Sequence, residues 1–409
     1  MLSKKLPIMS SALIFLYSVT LLISGKSYAF IAVPLCIASL VLLPHTLKSK
    51  LPADFYKIAF ALAGYFLVTA LSLFLMGGKL SNLDMPSRTL LILPVFIFLL
   101  KYPPRREWLF MGILIGSILS GLIALYHSQA LNIRAFYGFD YMVIQSGNMA
   151  MSLGIFSLII AVQYIKEKNR TLMILAMAAA FSGIMASLLS GARGSWIIMP
   201  IVLVGLLIAN RQMICTKIAI LITFLLISSS FLSYNIAEKR VQEFVTELSE
   251  FTEQHQTNSS TGIRIELWKS GVYSFLENPV FGTGYQERRD HKLQLIERGL
   301  VDPVALMYSR LHNSYLEELS IKGAIGFGAL MLFFVVPLFL FITRGNSKKC
   351  VFTQLGIAHI ILVMGYCLTQ NYINHHSGML HYLMYTIIFY AMLYQRKRSL
   401  ASAENLGNS

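Results

Sequence analysis

The chain has 409 residues, of which 56% are hydrophobic and only 13% are charged, and its mean hydropathy is +0.64. Soluble globular domains carry about 25% charged residues, so this composition excludes a cytosolic enzyme and a nucleic-acid-binding module. The formal net charge of +15 lies mostly at the ends of apolar runs. It therefore indicates membrane topology rather than a nucleic-acid partner.

Apolar runs recur along the chain, and a membrane span needs about 20 such residues. The runs predict roughly twelve transmembrane helices, near residues 7–24, 28–46, 56–76, 88–101, 108–126, 146–165, 171–190, 195–210, 217–236, 314–342, 352–371 and 380–395. We expect an all-α polytopic membrane protein with four parts. These are helices 1–9 (residues 1–236), one large loop (237–312), helices 10–12 (313–395) and a cytoplasmic tail (396–409).

Basic residues are distributed unequally between the two sides of this arrangement. With a cytoplasmic N-terminus, one set of connections carries nineteen Lys and Arg residues. The short connections on the other side carry five, namely Lys26, Lys79, Arg88, Arg134 and Arg193. The positive-inside rule then predicts that both termini are cytoplasmic. A cleaved signal peptide is the alternative for the first segment, and it would leave the remaining topology unchanged.

The four cysteines carry no metal or redox signal, because they are scattered and form no CxxC pair. They are Cys36, Cys215, Cys350 and Cys367. No Walker A or dinucleotide-binding glycine pattern occurs either. The sequence therefore predicts no cofactor, and the energy for any reaction has to arrive with the substrate.

The connection 237–312 is far longer than the others and falls on the outer side by parity. Between Val241 and Phe251, apolar residues recur at three- and four-residue steps among Glu and Gln, which predicts an amphipathic helix. A second helix is predicted from Thr261 to Glu277, ended by Asn278-Pro279 and a Gly-Thr-Gly turn. Long ordered loops in compact proteins usually carry function.

Arg193 lies in a short polar hinge between two apolar runs, within Ser190-Gly191-Ala192-Arg193-Gly194. A guanidinium at such a position is costly unless it faces a cavity or a partner, so it is a functional-site candidate. The flanking glycines allow a tight turn and leave room beside the side chain. The alternative is an interfacial arginine whose charge reaches the headgroups.

Arg264 is expected near the start of the second loop helix, where free N–H groups and the helix dipole favour anions. Its planar fork suits a phosphate. An intrahelical pair or a solvated face is the simpler interpretation of its spacing.

His312 stands where the loop re-enters the membrane, and a neutral imidazole there suits a general base. The simpler interpretation is a helix cap, and the same choice between orienting the site and capping the helix applies to Asn313.

The remaining candidates are polar residues of the outer connections. His375 and His376 adjoin Asn371 and Asn374, and a metal site with His312 is the weaker interpretation because adjacent histidines point apart. Other residues that we consider for the same cavity are Arg288, Arg289, His291, Asp84, Arg88, Tyr137 and Asp140. We place Arg288, Arg88, Asn313 and His375 with the two arginines as candidate substrate-binding residues, and we predict no metal.

The arrangement of these motifs resembles the O-antigen ligase and polymerase superfamily of bacterial inner-membrane glycosyltransferases. Three pieces carry the resemblance in order: the hinge 190–194, the loop stretch Arg264-Ile265-Glu266-Leu267-Trp268 leading to Asn278-Pro279-Val280-Phe281-Gly282-Thr283-Gly284-Tyr285, and His312-Asn313-Ser314-Tyr315-Leu316 followed by Gly323 and Gly326. The family hinge often has Thr or Ser before the arginine, whereas here Gly191 and Ala192 follow Ser190.

The resemblance implies a GT-C-like fold and a site for catalysis on the periplasmic face. Members transfer a glycan from an undecaprenyl diphosphate carrier without nucleotide or metal. The matching motifs make Arg193 and Arg264 the diphosphate-binding residues and His312 the group that activates the acceptor hydroxyl.

We therefore expect an O-antigen ligase of the inner membrane. Its donor is undecaprenyl-diphosphate-linked O-antigen, its acceptor is the lipid A-core oligosaccharide, and it also contacts membrane lipids. The alternatives are an O-antigen polymerase with a carrier-linked acceptor and, from a different class, a lipid-linked glycan flippase. A flippase would need charges along its membrane-embedded helices, and the helices before residue 190 are nearly free of charge in their cores.

Overall fold

The computed structural model describes residues 2–211, 234–254, 256–345 and 350–407, and all its regular elements in those ranges are helical. Eight of the helices there are long and apolar enough to cross a membrane, and shorter apolar helices cover Lys5–Thr20 and Ser27–Val41. The predicted all-α polytopic fold is confirmed. The chain is therefore a multi-pass membrane protein.

The helices before residue 212 are α1 (Leu2–Thr20), α2 (Ala32–Val41), α3 (Leu43–Thr46), α4 (Ala53–Met76), α5 (Asp84–Lys101), α6 (Arg106–Leu125), α7 (Val143–Lys166), α8 (Arg170–Ser190) and α9 (Arg193–Asn210). The large loop contains α10 (Tyr234–Gln254), α11 (Ser260–Glu277) and α12 (Arg288–Glu297). The chain ends with α13 (Ser314–Arg344), α14 (Val351–Thr369) and α15 (His376–Gly407).

Two of the predicted helix boundaries differ from the observed ones, and a third predicted span falls mostly outside the described residues. The apolar run 28–46 is divided into a 3-10 turn, α2 and α3, and Pro44 lies in the first turn of α3, a position that proline tolerates because its missing N–H has no helical partner there. The predicted span 217–236 lies almost wholly outside the described residues. Helix α15 continues past the expected boundary at residue 396, and the four-part division stays a prediction.

Helix α7 is the centre of the bundle, because nearly all of its residues between Gln145 and Val162 are buried. It packs against α6, α8 and α14, while α13 packs on α4 and α15 on α5. Small residues bring the helices close together. Gly112 and Gly116 of α6 leave space that the backbone of α1 occupies at Phe15 and Ser18, the small-xxx-small pattern of membrane helix pairs.

Ion pairs between helices tie together the end of the bundle that carries most basic residues. Arg344 at the end of α13 reaches Asp54 at the start of α4 (Nε–Oδ2 2.8 Å), and Arg106 pairs with Glu167 after α7. The loop helices and the connections 77–83, 126–142 and 370–375 lie at the other end, which is where the candidate site residues are found.

Helix α13 is broken at Gly323, whose φ of 61° and ψ of −157° are not helical. The segment that follows α11 lies across the break. Ala324 N donates to Pro279 O (2.8 Å), and Gly284 N donates to Ile321 O (2.9 Å). Backbone groups freed by the break are thereby paired, as they have to be at membrane depth. This contact fixes the loop helices onto the membrane bundle.

Gly282 and Gly323 have no side chain because the two backbones touch at these positions. A Cβ on Gly282 would overlap the backbone of Ile321, and a Cβ on Gly323 would overlap the backbone of Val280. Both residues also have positive φ, which favours glycine. The Gly-Thr-Gly motif and Gly323 are thus two halves of one packing contact.

Candidate active site

The hinge predicted at residues 190–194 separates α8 from α9. Gly191 adopts the left-handed conformation (φ 62°) and ends α8, so α9 begins at Arg193. The Arg193 side chain is half-buried. Its Nη2 lies 3.3 Å from Oε2 of Glu243 on α10. The hinge therefore directs the guanidinium toward the loop helices.

Arg264 is in the second turn of α11 rather than at its first residues. The free N–H groups of the first turn are already used, because Ser259 Oγ accepts from Gly262 N and the Glu247 carboxylate accepts from Thr261 N (3.1 Å). The N-terminus of α11 therefore binds the Glu247 carboxylate rather than the anion that we expected there. Binding by Arg264 would depend on its side chain alone.

The two arginines are electrostatically coupled. Burial lowers the pKa of Arg264, the neighbouring positive charge of Arg193 lowers it further, and Glu247 opposes both. No described residue forms a hydrogen bond or ion pair with the half-buried Arg264 guanidinium. Arg193 and Arg264 are thus near enough to repel each other, and the Arg264 fork, which holds no carboxylate directly, is suited to an anionic ligand.

His312 is held in a left-handed backbone conformation (φ 53°), which is uncommon for a residue other than glycine and is often found at functional sites. Its Nδ1 lies 2.7 Å from Oε1 of Gln370. The backbone N–H of Asn371 points at the same Oε1 (3.3 Å), so this atom is the acceptor oxygen of the amide. Nδ1 therefore carries the proton, and Nε2 keeps a free lone pair.

Asn313 caps the helix that follows the histidine. Its side-chain oxygen accepts from the backbone N–H groups of Tyr315 (3.0 Å) and Leu316 (3.1 Å). Capping is one of the two roles considered for this residue, and it occupies the amide oxygen with two hydrogen bonds. A direct contact of Asn313 with substrate stays a prediction.

Residues next to His312 and Gln370 in sequence contact residues close to the two arginines. Trp268, one turn after Arg264, donates from Nε1 to the carbonyl of Leu311 (3.0 Å). Gly194, next to Arg193, lies against the side chain of Thr369, the residue before the histidine's partner Gln370. The structure thus brings the three sequence-predicted residues to one end of the bundle.

A cavity of about 820 Å³ opens near His312, which is not itself among the lining residues. Its wall is formed by the start of α5, the start of α12, residues 306–310 and the turn 374–376. The Tyr308 ring of this wall packs edge-on against the His312 ring, with centroids 6.1 Å apart. Neither Arg193 nor Arg264 lines this cavity.

His375 lines the cavity as a neutral imidazole. Burial lowers its pKa to about 4, and the positive charge of Arg310 and the nearby imidazoles of His312 and His376 act in the same direction. It therefore stays uncharged over the physiological range and offers polar ring atoms without a positive charge. Its assignment to substrate binding stays a prediction.

Arg288 also lines the cavity, but a carboxylate occupies its fork. Both terminal nitrogens donate to Glu317, at 2.7 Å each, and Glu317 also accepts from the backbone N–H of Leu311 (2.9 Å). This bidentate pair ties α12 to the start of α13 and to the residue before His312. The geometry gives Arg288 a positioning role, and its predicted substrate contact is untested.

The other candidates occupy different surroundings. Arg88 pairs with Asp84 (3.5 Å) and contacts His376. Asp84 and His376 line the cavity, whereas Arg88 does not. His291 is bound to Ser274 and Glu277.

The structure separates Asp140 and Tyr137 from this cavity. Asp140 forms an ion pair with Lys26 (2.9 Å) and lines a smaller cavity beside the main one. Tyr137 is exposed and is absent from the wall of the main cavity.

Sequence reasoning missed two residues at this site. Gln370, which orients His312, ends an apolar run directly before Asn371, and a polar residue at that junction was the available signal. Arg310, which lines the cavity, stands two residues before His312 and was hidden among nine basic residues of the loop. Among the described residues, no three His, Cys, Asp or Glu side chains are grouped as ligands for a metal ion.

The chain is a multi-pass membrane protein in which the helices of the large loop are attached to the broken helix α13. A polar site with His312, Arg193 and Arg264 lies at this end of its bundle. The sequence profile described as O-antigen ligase matches residues 178–331, which include the hinge, Arg264 and His312. The chain belongs to the O-antigen ligase and polymerase superfamily, whose members are glycosyltransferase-like enzymes acting on lipid-linked glycans. It is also 30% identical to an uncharacterised protein of Haemophilus influenzae over 400 residues, covering 94% of this chain and 98% of that protein.

Proposed function

We propose that the protein is an O-antigen ligase. It transfers O-antigen polysaccharide from undecaprenyl diphosphate to a sugar hydroxyl of the lipid A-core oligosaccharide. The observation that carries this proposal is the Gln370 amide oxygen on Nδ1 of His312, which leaves the free lone pair of the neutral ring on Nε2. The coupled pair Arg193 and Arg264 lies at the same end of the bundle. The superfamily match supports a lipid-linked glycan as donor.

Donor activation rests on charge. A glycosyl diphosphate already has a good leaving group, so the enzyme mainly has to stabilise negative charge that develops on phosphate oxygens. Arg193 and Arg264 supply two guanidinium forks for this purpose and need no Mg²⁺ or nucleotide. The Glu243 carboxylate that contacts Arg193 occupies the position at which a phosphate oxygen of the donor would bind.

Acceptor activation rests on His312. Its Nε2 takes the proton from the attacking sugar hydroxyl as the new C–O bond forms at the anomeric carbon and the bond to the diphosphate breaks. The leaving undecaprenyl diphosphate keeps the electron pair. Attack from the side opposite the diphosphate inverts the anomeric configuration, and NMR of the linkage in donor and product tests this stereochemistry.

We assign the site to the periplasmic side of the inner membrane. The end of the bundle that carries most of the basic residues is cytoplasmic by the positive-inside rule, and the loop helices lie at the other end. Lipid-linked glycans are accessible to that face from within the bilayer.

The deciding experiment is genetic. We would delete the gene in its native host and complement with wild type, Arg193→Ala, Arg264→Ala and His312→Ala, with Arg298→Ala as the matched control. Arg298 is an exposed loop residue paired with Glu277 away from the site. Lipopolysaccharide and carrier-linked glycan are then separated on gels, and the amount of each variant in the membrane is measured by immunoblot.

We expect long polymer on the carrier and bare lipid A-core in the deletion strain and in the three site variants. Losing the base costs about 10²–10⁴ in rate, and losing one charge-stabilising group costs about 10²–10³. Lipid A-core that carries a single repeat unit would instead identify an O-antigen polymerase. Normal lipopolysaccharide in His312→Ala would favour a flippase, which has no need of a base.

A further inference from the structure

Two guanidinium groups of the cavity near His312 form no direct ion pair. The nearest negative charge to act on Arg310 is the Glu317 carboxylate, which Arg288 already holds. Arg310 is half-buried and Arg289 is exposed, and both line the cavity of about 820 Å³. Neither forms a hydrogen bond or an ion pair with any residue in the described part of the chain. Unpaired guanidiniums in a concave, water-filled space attract anions.

The other charged groups of the cavity wall are already engaged. Glu317 is held by Arg288, and Asp84 is shared between Arg88 (3.5 Å) and His376 (3.8 Å). Lys292 donates to the carbonyls of Ala305 and Tyr308. The cavity therefore contains more positive than negative charge, and the free share of it is concentrated on Arg310 and Arg289.

The same wall has the groups that bind sugars. Ser81, Asn82 and Asn374 supply hydroxyl and amide groups, and the exposed Tyr308 ring supplies an aromatic face. Aromatic faces and amides are suited to the apolar faces and hydroxyl groups of a saccharide. A cavity of this size falls in the ordinary range for small-ligand sites, about 300–1,000 Å³.

This cavity is separate from the Arg193–Arg264 pair. His312 adjoins both, because the Leu311 carbonyl accepts from Trp268 one turn after Arg264, and the Tyr308 ring of the cavity wall packs edge-on against the His312 ring. A donor diphosphate on the arginine pair leaves the cavity for the other substrate. An acceptor in the cavity would then present its hydroxyl to His312 from the Tyr308 side.

We propose that the cavity binds an anionic substituent, a phosphate or a carboxylate, on the acceptor saccharide, with Arg310 and Arg289 as its counter-ions. The proposal rests on the proposed function, since it assigns the substrate class of the acceptor half of that site. It makes Arg310 and Arg289 specificity-determining residues. Neutral acceptors of the same sugar sequence would be poor substrates.

The test uses the purified full-length protein in nanodiscs with carrier-linked donor and three forms of lipid A-core acceptor. The first is intact, the second is dephosphorylated with hydrofluoric acid, and the third has its carboxyl groups reduced. Wild type, Arg310→Gln, Arg310→Lys and Arg289→Gln are compared with the control Arg298→Gln. The measurements are kcat and KM for donor and acceptor, together with the equilibrium Kd of each acceptor form without donor.

For intact acceptor, we expect Arg310→Gln to raise KM and Kd about 10- to 100-fold, the value of a hydrogen bond to a charged group. Wild type should lose the same factor on whichever acceptor form lacks the recognised anion, and Arg310→Gln should lose nothing more there. Arg310→Lys should recover part of the affinity, and donor KM should not change. The acceptor form that loses affinity tells phosphate from carboxylate.

Equal loss on all three acceptor forms, or a rise in donor KM instead of acceptor KM, would overturn the proposal. Unchanged affinity in both Arg310→Gln and Arg289→Gln would overturn it as well. The Kd measurement keeps this result apart from the proposed function. Wild type that binds the acceptor in an Arg310-dependent way but transfers nothing would contradict the ligase reaction and leave the anion site standing.

Discussion

At the scale of single residues, the contact between His312 and Gln370 decides which ring nitrogen is available for the proposed role of base. Replacing Gln370 with Leu removes the acceptor of the Nδ1 proton while keeping a similar volume. We expect kcat to fall about 10- to 100-fold, by analogy with the loss of hydrogen-bond partners that orient metal-bound histidines, with little change in KM. Steady-state transfer assays measure this, with the exposed Gln294→Leu as control.

Gln370→Glu provides the complementary result. A carboxylate accepts the same hydrogen bond, so activity should be retained, and its negative charge favours the protonated imidazole. The acid limb of the pH–rate profile should therefore move to higher pH. A Gln370→Leu enzyme with wild-type kcat would remove Gln370 from the mechanism.

Lys292 is a second residue whose surroundings have a measurable consequence. Burial lowers its pKa from an ordinary value near 10.5 to about 8, the charge of Arg288 adds to the effect, and Glu317 opposes it. The fold therefore disfavours the protonated form. Between pH 8 and 10.5 the unfolded chain keeps a proton that the folded chain releases, so raising the pH over this window stabilises the fold.

We expect the difference in apparent Tm between wild type and Lys292→Met to shift in favour of wild type from pH 8 to pH 10. Below pH 8 the difference should be flat, because both states are protonated there. Fluorescence melting in detergent across this range measures it. A difference that does not vary with pH would show that the amine does not titrate in this window.

At the scale of elements, the break in α13 depends on two glycines that touch another backbone. Gly323→Ala places a Cβ against the Val280 backbone in a conformation that only glycine tolerates well. The backbone cost alone is about 1–3 kcal/mol, so the apparent Tm should fall. Activity should fall with it, because the segment 279–284 attaches the loop helices to the bundle.

Gly328→Ala is the matched control for this change. It lies in the same helix, and a Cβ there meets no atom within 4 Å, so alanine should leave the Tm unchanged or raise it slightly. Equal melting temperatures for Gly323→Ala and Gly328→Ala would contradict the packing argument.

The loop helices position the site through charge as well as packing. Helix α10 presents Glu243 and Glu247 one turn apart, and these carboxylates lie by Arg193 and at the start of α11. The amphipathic pattern predicted the helix, but the pattern concerns apolar residues and says nothing about where its carboxylates point. Only the packing of α10 beside the hinge brings Glu243 to Arg193 and Glu247 to the start of α11.

At the scale of the whole molecule, orientation is the property to test. In a variant with all four cysteines replaced by Ser, Arg298→Cys on the loop side should react with a membrane-impermeant maleimide in intact spheroplasts. Lys48→Cys, exposed at the opposite end, should react only after permeabilisation. The physical reason is the excess of Lys and Arg in the connections at that end, and the reverse labelling pattern would invert the predicted topology.

The sequence by itself determined the class of protein and most of the helices, because long apolar runs have few alternatives in a bilayer. It also indicated Arg193 and His312 as candidates, since charged or polar residues beside apolar runs are costly without a role. Arg264 was a candidate because it lies near the start of a loop helix, and the roles of all three stay predictions. The helices of the loop were partly predicted. Their apolar periodicity indicated the first two, whereas the short and very polar α12 has no such pattern.

Only the tertiary structure decided which partners these residues contact. That Gln370 holds Nδ1 of His312, that Glu317 fills the fork of Arg288 and that Arg310 stays unpaired are all contacts between residues from different helices and connections. Such contacts depend on how the helices pack and on where α13 breaks. Periodicity and local motifs describe neighbours along the chain, so they predict the elements but not which side chains meet across them.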